Sequence, residues 1–129
     1  MRRSDQRRDA VFALYQRDVA GVSLEELLAG SKPFTRELAE GADANLEGLD
    51  EVISALSRGW AIDRIAPLEK NIMRVALFEL RHLEEIPAEV AIDEAVGLAK
   101  EYCGADAPKF VNGILGAAAR AGGEGSVMA

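Results

Sequence analysis

The sequence predicts an all-α fold of six to seven helices, arranged as two small bundles around a shared core. Three observations carry this expectation. The 129 residues are 49% hydrophobic and only 5% aromatic, and their abundance of Ala, Leu and Glu favours helices over strands. Apolar residues recur at three- and four-residue spacing in one segment after another. No stretch alternates apolar and polar residues as a half-buried strand would.

A first helix is expected from about Ser4 to Ala20, with Val11, Leu14 and Tyr15 on one stripe. In "GVSLEEL", Ser23 and Glu26 have capping-box spacing and start a short second helix. Gly30 stops it, and Pro33 suits the first turn of a third. That third segment, about 33–60, sets Leu38, Ala42, Leu46, Leu49, Ile53, Leu56 and Trp60 at helical spacing. Gly41 and Gly48 offer places for a bend or a break. Pro67 opens "LEKNIMRVALFELRHL", whose core candidates include Leu68, Ile72, Val75, Leu80 and Leu83. Pro87 opens the next helix, where Ala91, Ile92, Ala95, Val96, Ala99, Tyr102 and Cys103 form a stripe. Gly104 fits its stop, and Asp106 with Pro108 opens a last helix to about Ala121. Residues 1–122 are expected to form a single all-helical domain, and 123–129 a flexible tail.

Composition excludes several classes of function. No run of 18 apolar residues exists, so no membrane span is expected, and the charged N-terminus lacks the apolar stretch of a secretory signal. A single cysteine, Cys103, suits a reducing, cytoplasmic setting. The net charge of −7 argues against coating nucleic acid by charge alone. The charge is uneven, however. Residues 1–20 hold five Arg against three Asp, while residues 37–60 hold six carboxylates against Arg58.

Catalytic signals are poor. His82, the only histidine, sits at a helix end, and Cys103 lies on an apolar stripe as a buried thiol would. Glu84–Glu85 and Asp93–Glu94 are adjacent pairs that point to different helix faces and make no metal site. There is no strand to carry a phosphate loop. No catalytic residue, metal or cofactor is expected, and an enzyme is disfavoured.

The arginine arm says more. The stripe of Val11, Leu14 and Tyr15 continues backward through Arg7 and Arg3, with Arg2 and Arg8 as neighbours and Asp5 and Asp9 opposite. A core face that turns into arginines is expected to outrun the protein body and face a ligand. Arginine forks suit phosphate oxygens and also stack on bases. The alternative is a solvated N-terminus. At the other end of the chain, Lys109 and Phe110 fall in the first turn of the last helix, where backbone N–H groups favour an anion. A cation beside an aromatic there could hold a phosphate and stack a base, so arm and helix start are expected on one surface. Gly113 is expected to admit a close neighbour. Asn112 is open between a buried amide and a contact to that ligand.

Taken together, "RRSDQRRDAVFALYQ", "LEKNIMRVALFEL", "IPAEVAIDEAVGLAKEYC" and "PKFVNGIL" resemble the NusB family of bacterial transcription antitermination factors. The resemblance covers nearly the whole chain. It implies two three-helix bundles and binding of single-stranded boxA RNA from ribosomal RNA leader transcripts. It implies, as partners, a small-subunit ribosomal protein acting as NusE and the RNA polymerase antitermination complex with other Nus factors. By position, Arg2, Arg3, Arg7 and Arg8 would form the RNA arm, with Lys109 and Phe110 near the same surface. Tyr15 and Glu79, and less strongly Glu69, would face the NusE side. Gln6, Asp5 and Asp9 depart from the family's arm, which bears on RNA affinity more than on the fold, and the net charge of −7 leads to the expectation of weak RNA binding alone and tighter binding with the partner. A homodimer through the RNA surface is a further state the resemblance allows. Two competing readings are a helical protein–protein adaptor without RNA affinity, and a detached N-terminal domain of an RNA cytosine methyltransferase.

Overall fold

The computed structural model describes residues 1–58 and 60–123, and these residues fold into seven α-helices and a 3-10 turn, with no strand among them. The helices are α1 (Arg3–Ala20), α2 (Leu24–Leu27), α3 (Pro33–Ala44), α4 (Leu46–Leu56), α5 (Pro67–His82), α6 (Ala88–Tyr102) and α7 (Ala107–Gly123). The 3-10 turn, Ile62–Arg64, joins α4 to α5. The predicted tail lies, from residue 124 onward, outside the described residues.

Helix α5 is the axis on which both halves lean. On one side α1 packs against α3 and α5; on the other, α6 and α7 pack together and onto α5, with α4 bridging to α7. Every residue from Asn71 to Glu79 is buried, the signature of a helix covered all round rather than on one stripe. Proline sets the helix starts as expected, with Pro33 and Pro67 in the first turns of α3 and α5. Ser23 caps α2 by accepting the Glu26 N–H at 3.2 Å. Gly21, at φ 72°, closes α1 by donating its N–H to the Arg17 carbonyl. None of the helices described is long and apolar enough to cross a membrane.

Three expectations about the middle and end of the chain need correction. The segment 33–60 does break, though at neither glycine. It breaks at Asn45, whose side-chain amide donates to the Gly41 carbonyl at 2.8 Å, a local bond that competes with the helix ladder. Gly41 serves another purpose, since a Cβ there would overlap the Phe78 ring. The segment also ends at Leu56. Arg58 takes a left-handed φ of 46°, and Trp60, expected on the core stripe, is 56% exposed instead. Finally, Gly113 and Asn112 are both exposed, and a Cβ on Gly113 would meet nothing within 4 Å. Gly113 therefore admits no close neighbour.

A buried polar network secures α1 to the centre. Arg74, 6% exposed, donates to both Asp50 oxygens at 2.7 Å and to Asp18 at 2.8 Å. Asn71 donates to Asp18 at 2.9 Å, and Arg17 pairs with Asp43. One buried guanidinium thus ties α1, α4 and α5, with its donors used on carboxylates that can repay its desolvation.

Candidate nucleic-acid interface

The arm is the start of α1, so its geometry follows the helix. Arg2 and Arg3 are exposed, and the Arg3 guanidinium lies 4.2 Å from the centroid of the Phe34 ring, a cation–π contact that orients it. Arg3 makes no ion pair among the described residues. Arg8 is half-buried and bonds to Asp5 at 3.3 Å and Asp9 at 3.2 Å; Arg2 stands 3.6 Å from Asp5. The two aspartates therefore spend themselves on Arg2 and Arg8, and leave Arg3 outward-facing.

Arg7 and Glu79 correct the expectation that set them on two separate outer surfaces. Arg7 is 5% exposed and Glu79 2%, and they meet each other: Arg7 Nε and Nη2 donate to Glu79 at 2.8–3.0 Å. The stripe running back from Val11 and Leu14 stays within the body as far as Arg7, and only Arg3 reaches solvent. The stripe continues across α5, and Arg7 is part of the interior. Burial pushes the Glu79 carboxyl above its ordinary range, while the hydrogen bonds and charge of Arg7 pull it back. Glu94 of α6 lies 4.0 Å from Arg7 and accepts the Ser4 hydroxyl at 3.0 Å. The pair is a clip between α1 and α5 that holds the first turns of the arm against the body.

The second half of the site lies at the start of α7. Lys109 is exposed and makes no ion pair among the described residues, and Phe110 is half-buried. Phe110 lines a cleft of about 340 Å³ with Trp60, Arg64, Glu69 and Asp106. Burial raises the Glu69 carboxyl, and burial with the nearby Glu69 charge raises the Cys103 thiol, which disfavours its reactive thiolate form. Tyr15 is half-buried on α1. His82 stacks on Phe78 with centroids 5.1 Å apart.

Arm and helix start are not immediate neighbours. Arg7 meets α5 at Glu79, whereas Phe110 shares its cleft with Glu69; those positions are about 15 Å apart at helical rise. Tyr102, expected on the apolar stripe of α6, stands instead at the surface where α6 meets α1. Phe12 and Tyr102 meet edge to face, centroids 4.9 Å apart at 77°, and Tyr102 is 40% exposed. Arg8 lies near Tyr102. Cations and aromatics thus recur from the first turn of α1, past the end of α6, to the first turn of α7, with Asp5, Asp93, Glu94 and Glu101 lining the groove beside Arg2 and Arg8. The cations and aromatics suit a phosphate backbone with bases that can stack. No group of three metal-ligating side chains occurs among the described residues.

Comparison with known proteins places this arrangement. The model of the NusB family matches residues 4–120. A transcription antitermination protein NusB from Rubrobacter xylanophilus is 38% identical over 122 residues, spanning 89% of this chain and 88% of its own. The solved NusB of T. maritima superposes with a TM-score of 0.86 at 32% identity, covering 93% of this chain and 92% of that one. A NusB solved with NusE and double-stranded RNA superposes at 0.81 with 28% identity, over 92% of this chain and 96% of that one. With the fold, the length and the order of motifs all in agreement, the chain belongs to the NusB family.

Proposed function

We propose that this chain is a transcription antitermination factor that acts without catalysis. Together with a NusE-type ribosomal protein it holds single-stranded boxA RNA of ribosomal RNA leader transcripts. The assembly joins RNA polymerase and other Nus factors, in the cytoplasm, and sustains reading through terminators. The observation that carries this reading is the set of exposed Arg2, Arg3, Lys109 and Tyr102 with the half-buried Phe110. A relative of the same fold, solved with NusE and RNA, supports it.

Within the set, Arg2, Arg3 and Lys109 contact phosphates and Phe110 stacks a base. Arg8 serves the same backbone once drawn from Asp5 and Asp9. Arg7 acts by holding the arm in place rather than by touching RNA. Tyr15 faces the protein partner. The net charge of −7 makes affinity for RNA alone low, and the partner's basic surface supplies the rest. The RNA in the related complex is double-stranded; stacking side chains favour a single strand here, because bases in a duplex are already stacked.

The test uses the chain with its partner and a labelled boxA-type single strand, with the same sequence as duplex for a competitor. Arg3→Ala and Lys109→Ala should each weaken binding and lower the slope of log K against log salt by about 0.7, the value for one phosphate on a single strand. Their circular dichroism should match the parent. Unchanged binding by both variants, or better competition by the duplex, would sink the reading.

A further inference from the structure

The sole tryptophan of the chain is largely exposed and shares a cleft with Phe110. Arg58 turns left-handed and ends the path of α4, and the 3-10 turn then leads into α5. Trp60 is left 56% exposed, the most exposed aromatic among the described residues. It walls one cleft with Arg64, Ile65, Glu69, Asp106 and Phe110. At about 340 Å³ the cleft is at the small end of ligand pockets and takes one planar ring, not a helix.

We propose that this cleft receives one unstacked nucleobase of the bound RNA, stacked by Trp60 and Phe110, with Glu69 accepting its exocyclic amine. This inference rests on the RNA-binding reading above and deepens it. Three features of the cleft point to a base. Its two aromatic side chains are the groups on which bases stack in single-strand sites. Its carboxylates, Glu69 and Asp106, repel phosphate, so a ring enters rather than the backbone. A half-buried carboxylate also selects between the pyrimidines: it matches the amine of cytosine, whereas uracil presents a carbonyl at the same place. Finally, the cleft joins the cations of the interface through Phe110, whose neighbour Lys109 is exposed. Arg64 adds a second cation for the flanking phosphate.

Because the chain has one tryptophan, its emission reports this cleft alone when the partner and RNA are chosen without tryptophan or its absorbance. The chain is first mixed with the NusE-type partner, then titrated with boxA-type RNA whose binding is followed in parallel by anisotropy. Partner alone should leave the emission unchanged and RNA should quench it. Replacing the cytosines by uracil one at a time should single out one position, with a loss of about tenfold. Trp60→Ala should weaken RNA binding by about tenfold, and Trp60→Phe by much less. Glu69→Ala should abolish the cytosine preference. RNA binding without quenching would overturn the inference and leave the proposed function standing. A response to partner alone, with none on adding RNA, would overturn it in favour of a partner side chain. No RNA binding by the parent complex would overturn both.

Discussion

Removing Arg7 should unfold the protein more readily rather than silence an exposed RNA contact. Arg7 and Glu79 are 5% and 2% exposed and share three hydrogen bonds of 2.8–3.0 Å. Arg7→Ala leaves the Glu79 carboxylate buried with Glu94 nearby, and breaking such a pair costs about 3–5 kcal/mol. For 129 residues the unfolding entropy is about 0.27 kcal/mol/K, so Tm should fall by about 11–18 °C. The cost should shrink on acidification. With Arg7 gone, burial raises the Glu79 carboxyl further, so the folded state gains a proton before the unfolded one does, and stability rises as pH falls towards about 4.3. Arg7→Met with Glu79→Leu should recover most of the loss, because apolar groups of similar volume remove both buried charges. Urea and thermal melts followed by circular dichroism measure all three variants, and anisotropy measures their RNA binding with the partner. The double variant should bind RNA within about threefold of the parent, well under the tenfold per 1.4 kcal/mol that a lost contact brings. If Arg7→Ala melts like the parent but loses RNA, Arg7 belongs to the exposed arm after all.

Other outcomes follow from the same packing. Partial burial raises the Asp18 carboxyl, but the Asn71 and Arg17 hydrogen bonds and the Arg74 and Arg17 charges outweigh it and hold it below its ordinary range. Asp18 therefore contributes stability above about pH 4 that is lost as pH falls through its folded value; Asp18→Asn should lose less stability than the parent between pH 4 and pH 2 (both about). Gly41→Ala should destabilise by about 1–3 kcal/mol through overlap with Phe78. Phe78→Leu should then cost less in the Gly41→Ala background than alone; equal costs in the two backgrounds would contradict the contact. Gly113→Ala, exposed and without a neighbour, should stabilise by about 0.5–1 kcal/mol; a loss of stability in a urea melt would show a neighbour the structure lacks.

Most of the helical framework was legible because proline, glycine and apolar spacing are local signals. Pro33 and Pro67 start their helices, and Leu38, Ala42, Leu49 and Ile53 of one stripe and Ile72, Val75 and Leu83 of the other are buried. What escaped depends on partners far along the chain or on single side chains. Helical spacing carries through Asn45 and past Leu56, so only the Asn45 amide and the left-handed Arg58 reveal the break and the exposed Trp60. Arg7 posed a conflict between position and residue type. Its place on the core stripe was the better guide, but the carboxylate that permits burial lies 72 residues away. Lys109 and Arg3 were legible as exposed cations. The cleft beside Phe110 was not, since it is assembled from the 3-10 turn, α5 and α7. The exposed tryptophan in "RGWAIDR" was the available signal.

The central claim is that chain and partner read RNA jointly, and one titration tests it most directly. A labelled boxA-type single strand is titrated with the chain, with the NusE-type partner, and with both, at two salt concentrations. The account predicts weak, salt-sensitive binding to each protein alone and tight, sequence-selective binding to the pair. Binding by the pair no tighter than by the partner alone would contradict it, and would favour an adaptor that meets proteins without holding RNA.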